Sequence, residues 1–183
     1  MNKRLKHILK LALVLILFNI INQKFYTRID LTKDNRYTIA KVTEDLINKI
    51  DKQLLIKVYL EGDFPSEFKR LQIETRQFLE ELSAKNSRIR VQFIRPDNQR
   101  EKLIKAGMIP SQLTVKEDGK LSNAIIFPWA EILYKNKTSK VSLLPNGTSQ
   151  SQEDQLEKAI ENLEFSFSNA IYKLQEEKQK KIA

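Results

Sequence analysis

Catalysis near neutral pH needs a group poised to move a proton, attack an electrophile or hold a metal, and this chain offers few. Among its 183 residues there is one histidine and no cysteine. His7 stands in a basic flank with Lys6 and Lys10, apart from any carboxylate. Without cysteine there is no disulfide, thiolate nucleophile or Cys-ligated metal. The acidic pairs Glu80-Glu81 and Glu176-Glu177 fall on segments whose opposite face is apolar, and they read as solvated surface. No Gly-x-x-x-x-Gly-Lys-Ser/Thr run occurs, and four glycines leave no loop to cradle a phosphate. The chain is therefore not a nucleotide-hydrolysing subunit. No catalytic, cofactor-binding or metal-ligating residue is assigned, and no cofactor is expected.

Binding is the chemistry left, and three places could carry it. The first is the turn Glu61-Gly62-Asp63, which follows an apolar strand pattern and opens an amphipathic helix. Ligands in α/β folds gather at the carboxyl ends of strands. The same residues also suit plain architecture, with Gly62 allowing the turn and Asp63 capping the helix. The second is Phe127-Pro128-Trp129-Ala130, where Trp129 suits either packing or an aromatic contact with a partner. The third is the arm carrying Arg28, Asp30, Asp34, Arg36 and Tyr37, whose alternating charges could pair internally or dock on a partner.

The elements that position these residues follow from periodicity. Thr38 suits the N-cap of a helix running to about Ile50, with Ile39, Val42, Leu46, Ile47 and Ile50 on one face. Residues 53–60 are rich in β-formers and read as a central strand. Residues 64–84 read as a long amphipathic helix with Pro65 in its first turn. Residues 88–94 alternate as a second strand, and a short helix from about Asn98 to Ala106 stops at Gly107. Strands follow at 113–116, 124–127, 131–134 and 140–144, with turns at Asp118-Gly119 and Lys135-Asn136-Lys137. One long helix is expected from about Ser151 to Lys180. It suits packing on its own sheet or pairing between subunits, so a homo-oligomer stays open. The fold class is α/β: a mixed sheet flanked by helices, in the thioredoxin-like order β-α-β-α-β-β-α. With no Cys-x-x-Cys, that likeness is architectural.

Apolar residues make up 41% of the chain and charged residues 30%, enough for a real core under a solvated surface. Four of the nine net positive charges sit in the first ten residues, at Lys3, Arg4, Lys6 and Lys10, leaving +5 for the rest. That remainder is too mild to argue for nucleic acid, and Val91-Gln92-Phe93-Ile94-Arg95 suits a core-facing strand better than an RNA-binding one. Residues 11–18 are uninterrupted hydrocarbon behind the basic flank. A cleaved signal peptide shares this pattern, but no small-x-small site follows it. The segment reads as a signal anchor that keeps the N-terminus in the cytoplasm and places residues after about 24 across the membrane, which in a bacterium is the periplasm. The expected organisation is an inner-membrane anchor at 1–24, an arm and short helix at 25–52, and an α/β domain at 53–183. Lys178 to Ala183 reads as a strand beginning, which predicts a chain that continues.

Several segments, in order, resemble one family. They are Arg28-x-Asp30-Leu31-Thr32 with Asp34, Arg36-Tyr37-Thr38-Ile39, and Thr43 with Leu46. Val58 to Pro65, Phe68 to Gln72, Phe127-Pro128-Trp129-Ala130, Leu163-Glu164-Phe165 and Lys180 to Ala183 complete the set. The chain resembles the N-terminal portion of GldG, the gliding-motility ABC-transporter auxiliary family of Bacteroidetes. The resemblance implies a membrane-anchored, extracytoplasmic subunit working with a separate permease and ATPase, with no enzymatic activity of its own. It also implies a domain type related to a scaffold domain of intraflagellar transport. The alternative is a periplasmic scaffold that binds protein or glycan without a transport role. Glu61, Gly62, Asp63, Trp129, Arg28, Asp30, Arg36 and Tyr37 are the candidate ligand or partner contacts.

Overall fold

The computed structural model describes residues 39–62, 64–117, 120–144 and 151–176, together with His7, Lys10 and Leu13. The chain divides into two units, Met1–Arg36 and Tyr37–Ala183. In the first unit the three described residues are helical. The expected anchor and the arm residues Arg28, Asp30, Arg36 and Tyr37 otherwise lie outside the described residues. Among the described residues no helix is long and apolar enough to cross a membrane.

The second unit opens with helix α1 (Lys41–Asn48). Ala40 occupies its N-cap and offers no side-chain cap, and its own amide donates to Glu164 Oε1 at 2.8 Å. Thr43 and Ile47 point inward while Val42 is 80% exposed, the reverse of the expected face for Val42. The reason is polar: Thr43 Oγ1 hydrogen-bonds Ser168 Oγ at 3.1 Å, which turns the helix so that Ile39, Thr43, Ile47 and Ile50 share the inner stripe.

Strand β1 (Leu54–Val58) sends Leu54, Ile56 and Val58 into the core, and helix α2 (Ser66–Lys85) follows it. The helix begins two residues later than periodicity suggests, with Pro65 at the N-cap. Proline disfavours helical angles in the residue before it, so Phe64 cannot join the first turn. Strand β2 (Ile89–Phe93) then runs parallel to β1 with Ile56 opposite Val91. Helix α3 (Arg100–Lys105) ends as the glycine predicts. Gly107 takes φ +81°, its amide donates to Ile104 O at 2.8 Å, and Met108 N donates to Leu103 O at 2.9 Å. These two bonds close a Schellman motif whose apolar pair is Leu103 and Met108.

Four strands follow: β3 (Ser111–Glu117), β4 (Lys120–Ile126), β5 (Trp129–Tyr134) and β6 (Lys137–Ser142). The first two form a separate antiparallel ribbon, in which Glu117 pairs with Lys120. The main sheet has the order β2-β1-β5-β6, with β5 antiparallel to both β1 and β6. The chain thus folds as α/β with a mixed sheet flanked by helices. At the β5–β6 turn Lys135 adopts φ +54°.

The expected single C-terminal helix is two, α4 (Gln152–Glu161) and α5 (Leu163–Gln175). Ser151 caps the first by accepting from the Asp154 amide at 3.1 Å. Asn162 breaks the run. Its side-chain amide donates to Lys158 O at 2.7 Å, competing with the backbone, and its angles are φ −91° and ψ 2°.

Helices α2 and α5 cover one face of the sheet, where Phe68, Leu71, Leu79, Leu82, Phe167 and Ile171 meet Ile56, Ala130 and Ile132. The rings of Phe78 and Phe167, 5.7 Å apart, join the two helices. A smaller cluster of Tyr59, Leu103, Met108 and Phe127 ties α3 to the residues that follow β1 and precede β5. Asn86, 8% exposed, ties the layers: its Nδ2 donates to Ile47 O at 2.7 Å and its Oδ1 accepts from Arg88 N at 2.9 Å.

Candidate functional site

Two of the three candidate places come together at one end of the main sheet. The antiparallel register sets Val58 against Ala130, so the residues just beyond β1 lie beside the start of β5. Tyr59 N donates to Trp129 O at 2.9 Å, Ile94 N to Val58 O at 2.8 Å and Leu143 N to Pro128 O at 2.8 Å. The Tyr59–Gly62 and Phe127–Ala130 segments, far apart in sequence, are therefore neighbours at the carboxyl end of β1. Asp63 lies outside the described residues, as do Arg28, Asp30, Arg36 and Tyr37.

Glu61 is held, not free. Arg76 Nη2 donates to its Oε2 at 2.6 Å, and Gln72 Nε2 reaches its Oε1 at 3.3 Å and the Leu60 carbonyl at 3.4 Å. The Arg76 guanidinium also lies 3.7 Å from the ring centre of Phe93. It thus joins the β1 turn to β2 through a charge-assisted hydrogen bond and a cation–π contact. Gly62 has φ +155°, a backbone conformation that side-chain-bearing residues rarely adopt. Its role in the turn is conformational.

Trp129 is likewise engaged. Its indole Nε1 donates to Ile109 O at 2.7 Å, and its ring packs on the cluster of Tyr59, Leu103, Met108 and Phe127. Beneath it, the Tyr59 hydroxyl donates to Glu131 Oε2 at 3.4 Å, and Lys57 Nζ lies 3.9 Å from the same oxygen. Burial, then the Glu131 charge and hydrogen bond, push the Tyr59 phenol up to about 12. It stays protonated at neutral pH.

The arrangement presents a braced surface at this end of the sheet. Among the described residues no three His, Cys, Asp or Glu side chains converge to hold a metal ion. An open hollow of about 750 Å³ lies elsewhere, along the start of α3, lined by Asp97, Arg100, Glu101 and Lys105 among others.

Sequence reasoning missed Gln72, Arg76 and Phe93 as members of this site. A signal existed for the first two: they stand four residues apart, on one helical face beside the inward stripe of Phe68, Leu71 and Thr75. Their target could not be read from that spacing.

Residues 33–133 match a family whose description reads "Domain of unknown function (DUF7088)". The matched stretch spans α1 to β5 and so holds both segments of the site. An uncharacterised protein of Borreliella burgdorferi is 25% identical over 174 residues, covering 94% of this chain and 32% of that protein. The chain thus spans about a third of the length of this curated relative. No solved structure matches the chain.

Proposed function

Given that the chain belongs to the DUF7088 family, we propose that it is a non-enzymatic, membrane-anchored auxiliary subunit of an ABC transporter involved in gliding motility. Residues 1–24 form the anchor, and the α/β domain stands in the periplasm. The domain works by contact with the permease and, through it, the separate ATPase. The resemblance to the GldG family supplies the transporter, and the family description names no activity.

The observation that carries the reading is the meeting of two resemblance segments at one end of the sheet, where Tyr59 N bonds Trp129 O at 2.9 Å. Their polar groups are held by internal partners: Glu61 by Arg76 and Gln72, and Trp129 by Ile109. A rigid end of this kind suits docking against another protein better than enclosing a small molecule. The sheet order β2-β1-β5-β6, with β1 parallel to β2 and antiparallel to β5, supports a thioredoxin-like arrangement used here as a platform.

One observation favours the scaffold alternative. Phe165 and Tyr172, seven residues apart on α5, are 69% and 51% exposed, an apolar strip suited to a protein partner of any kind. Affinity purification of the tagged full-length protein from gently solubilised native membranes separates the two. Recovery of a permease and an ATPase in fixed ratio is the expected result. Their reproducible absence, with other envelope proteins in their place, moves the assignment to the scaffold.

A further inference from the structure

The main sheet has two edges, and they are treated differently. At one edge, the lysines of β6 are turned to internal tasks. Lys137 Nζ donates to Leu174 O at 3.2 Å and Glu176 O at 2.6 Å, capping α5, while Lys140 Nζ donates to Ala106 O at the end of α3. At the other edge, among the described residues, β2 pairs with β1 alone.

The backbone of β2 can be sorted residue by residue. In a parallel pair alternate residues bond the neighbour. Leu54 N donates to Arg88 O at 3.0 Å and Ile94 N to Val58 O at 2.8 Å, which commits Arg88, Arg90, Gln92 and Ile94 to β1. The amides of Val91 and Phe93, and the carbonyls of Ile89, Val91 and Phe93, then point away from the sheet. Only the Ile89 amide is satisfied locally, by Asn86 O at 3.0 Å. Among the described elements β2 touches β1 and α2, and nothing pairs with its outer side.

The two faces of this edge differ chemically. On the helix side, Val91 and Phe93 are half-buried, and Ile73 is 43% exposed on the α2 turn that precedes Arg76, the residue stacked on Phe93. On the open side, Arg88 and Arg90 are exposed, with no ion-pair partner among the described residues, and Gln92 lies beside them. The edge therefore offers main-chain hydrogen bonds, an apolar shelf on one face and two cations on the other.

We propose that the free edge of β2 accepts an extended peptide strand that alternates apolar and acidic residues, its apolar side chains toward α2 and its carboxylates toward Arg88 and Arg90. Strand addition to an open edge draws affinity from the main chain and specificity from alternate side chains. Charge complementarity selects the occupant. Two β2 edges paired with each other would set four arginines on one face, and like charges there oppose pairing. The inference stands on this edge alone and does not depend on the transporter assignment.

The test uses the full isotope-labelled chain and an eight-residue peptide of alternating valine and glutamate. Its valine–lysine counterpart serves as the charge control. Amide exchange and chemical shifts are read at each residue. The expected result is protection of the Val91 and Phe93 amides by the glutamate peptide, at least tenfold, with little effect from the lysine peptide. Arg90→Glu should weaken the glutamate peptide at least tenfold and admit the lysine peptide. Val91→Pro removes one outward amide without touching the β1 ladder and should abolish protection at Phe93. Equal response to both peptides, or binding that leaves Val91 and Phe93 unprotected, overturns the proposal. So does strong binding to vesicles of one-third phosphatidylglycerol with no response to the peptide.

Discussion

Trp129 is the chain's one tryptophan, and its contacts say what removing it should do. The indole contributes twice, by ring packing on Tyr59, Leu103, Met108 and Phe127 and by the 2.7 Å bond to Ile109 O. Trp129→Phe keeps most of the ring and loses the donor. Ile109 is 69% exposed and the bond itself lies at the surface, so water can replace the lost partner. The cost should therefore be about 1 kcal/mol, the net value of one hydrogen bond. Trp129→Ala also loses the ring. Full removal of a buried aromatic costs about 3–5 kcal/mol, and Trp129 is only half-buried, which brings the expectation to about 2–3 kcal/mol. In a chain of this size that corresponds to a fall in Tm of about 5–10 °C. Urea unfolding followed by far-ultraviolet circular dichroism, with the slope checked for constancy, measures both variants without needing the indole signal. A loss below about 0.5 kcal/mol for Trp129→Ala would show that the ring does not brace the sheet end, refuting the reasoning. Equal losses for Phe and Ala would place the whole effect on the N–H and also refute it.

Other outcomes follow from single contacts. Asn86→Ala removes a bond to the buried Ile47 carbonyl and another from the Arg88 amide, and should cost about 2–3 kcal/mol in urea unfolding. Hydrogen exchange should quicken across α1 first. The Thr75 hydroxyl is buried with no partner among the described residues, so Thr75→Val should be neutral or stabilise by up to about 1 kcal/mol. Thr43→Val should destabilise, because that hydroxyl bonds Ser168; the same unfolding assay compares the pair. The hydrogen bond from the Tyr134 hydroxyl, then the bond and charge of Lys135, hold the Asp51 carboxyl below its ordinary 3.8. Its contribution is therefore complete above about pH 4 and is lost as pH falls through the lowered value. Asp51→Asn should flatten the acid limb of a stability–pH curve and leave its slope above pH 5 unchanged.

How much of this was legible in the sequence depends on the kind of interaction. The inward stripe of α2 followed from spacing, because apolar burial is a local pattern repeated along one face. The stop at Gly107 followed from one residue's freedom to take φ +81°. The face of α1 was misjudged at Val42, since the Thr43–Ser168 bond spans 125 residues and no local window contains it. The break at Asn162 was hidden for a different reason. Apolar spacing continues through it, and one side-chain amide competing for Lys158 O decides the geometry. The separate β3–β4 ribbon also escaped, because each strand looked like a member of one sheet. At the site, Glu61 and Trp129 were visible as residue types, whereas Arg76 and Phe93, which brace Glu61, become visible only once β2 lies beside β1.

The proposed function sets an ABC permease against the sheet end where the Glu61 turn and Trp129 join. A photo-crosslinking amino acid placed at Ile109, exposed beside Trp129, tests it in living cells against one at Asn136, in the turn at the far end of the same sheet. The expected result is a crosslink to an ABC permease from position 109 and none from 136. Equal crosslinking from both positions, or capture from 109 of envelope proteins and never a permease, would contradict it.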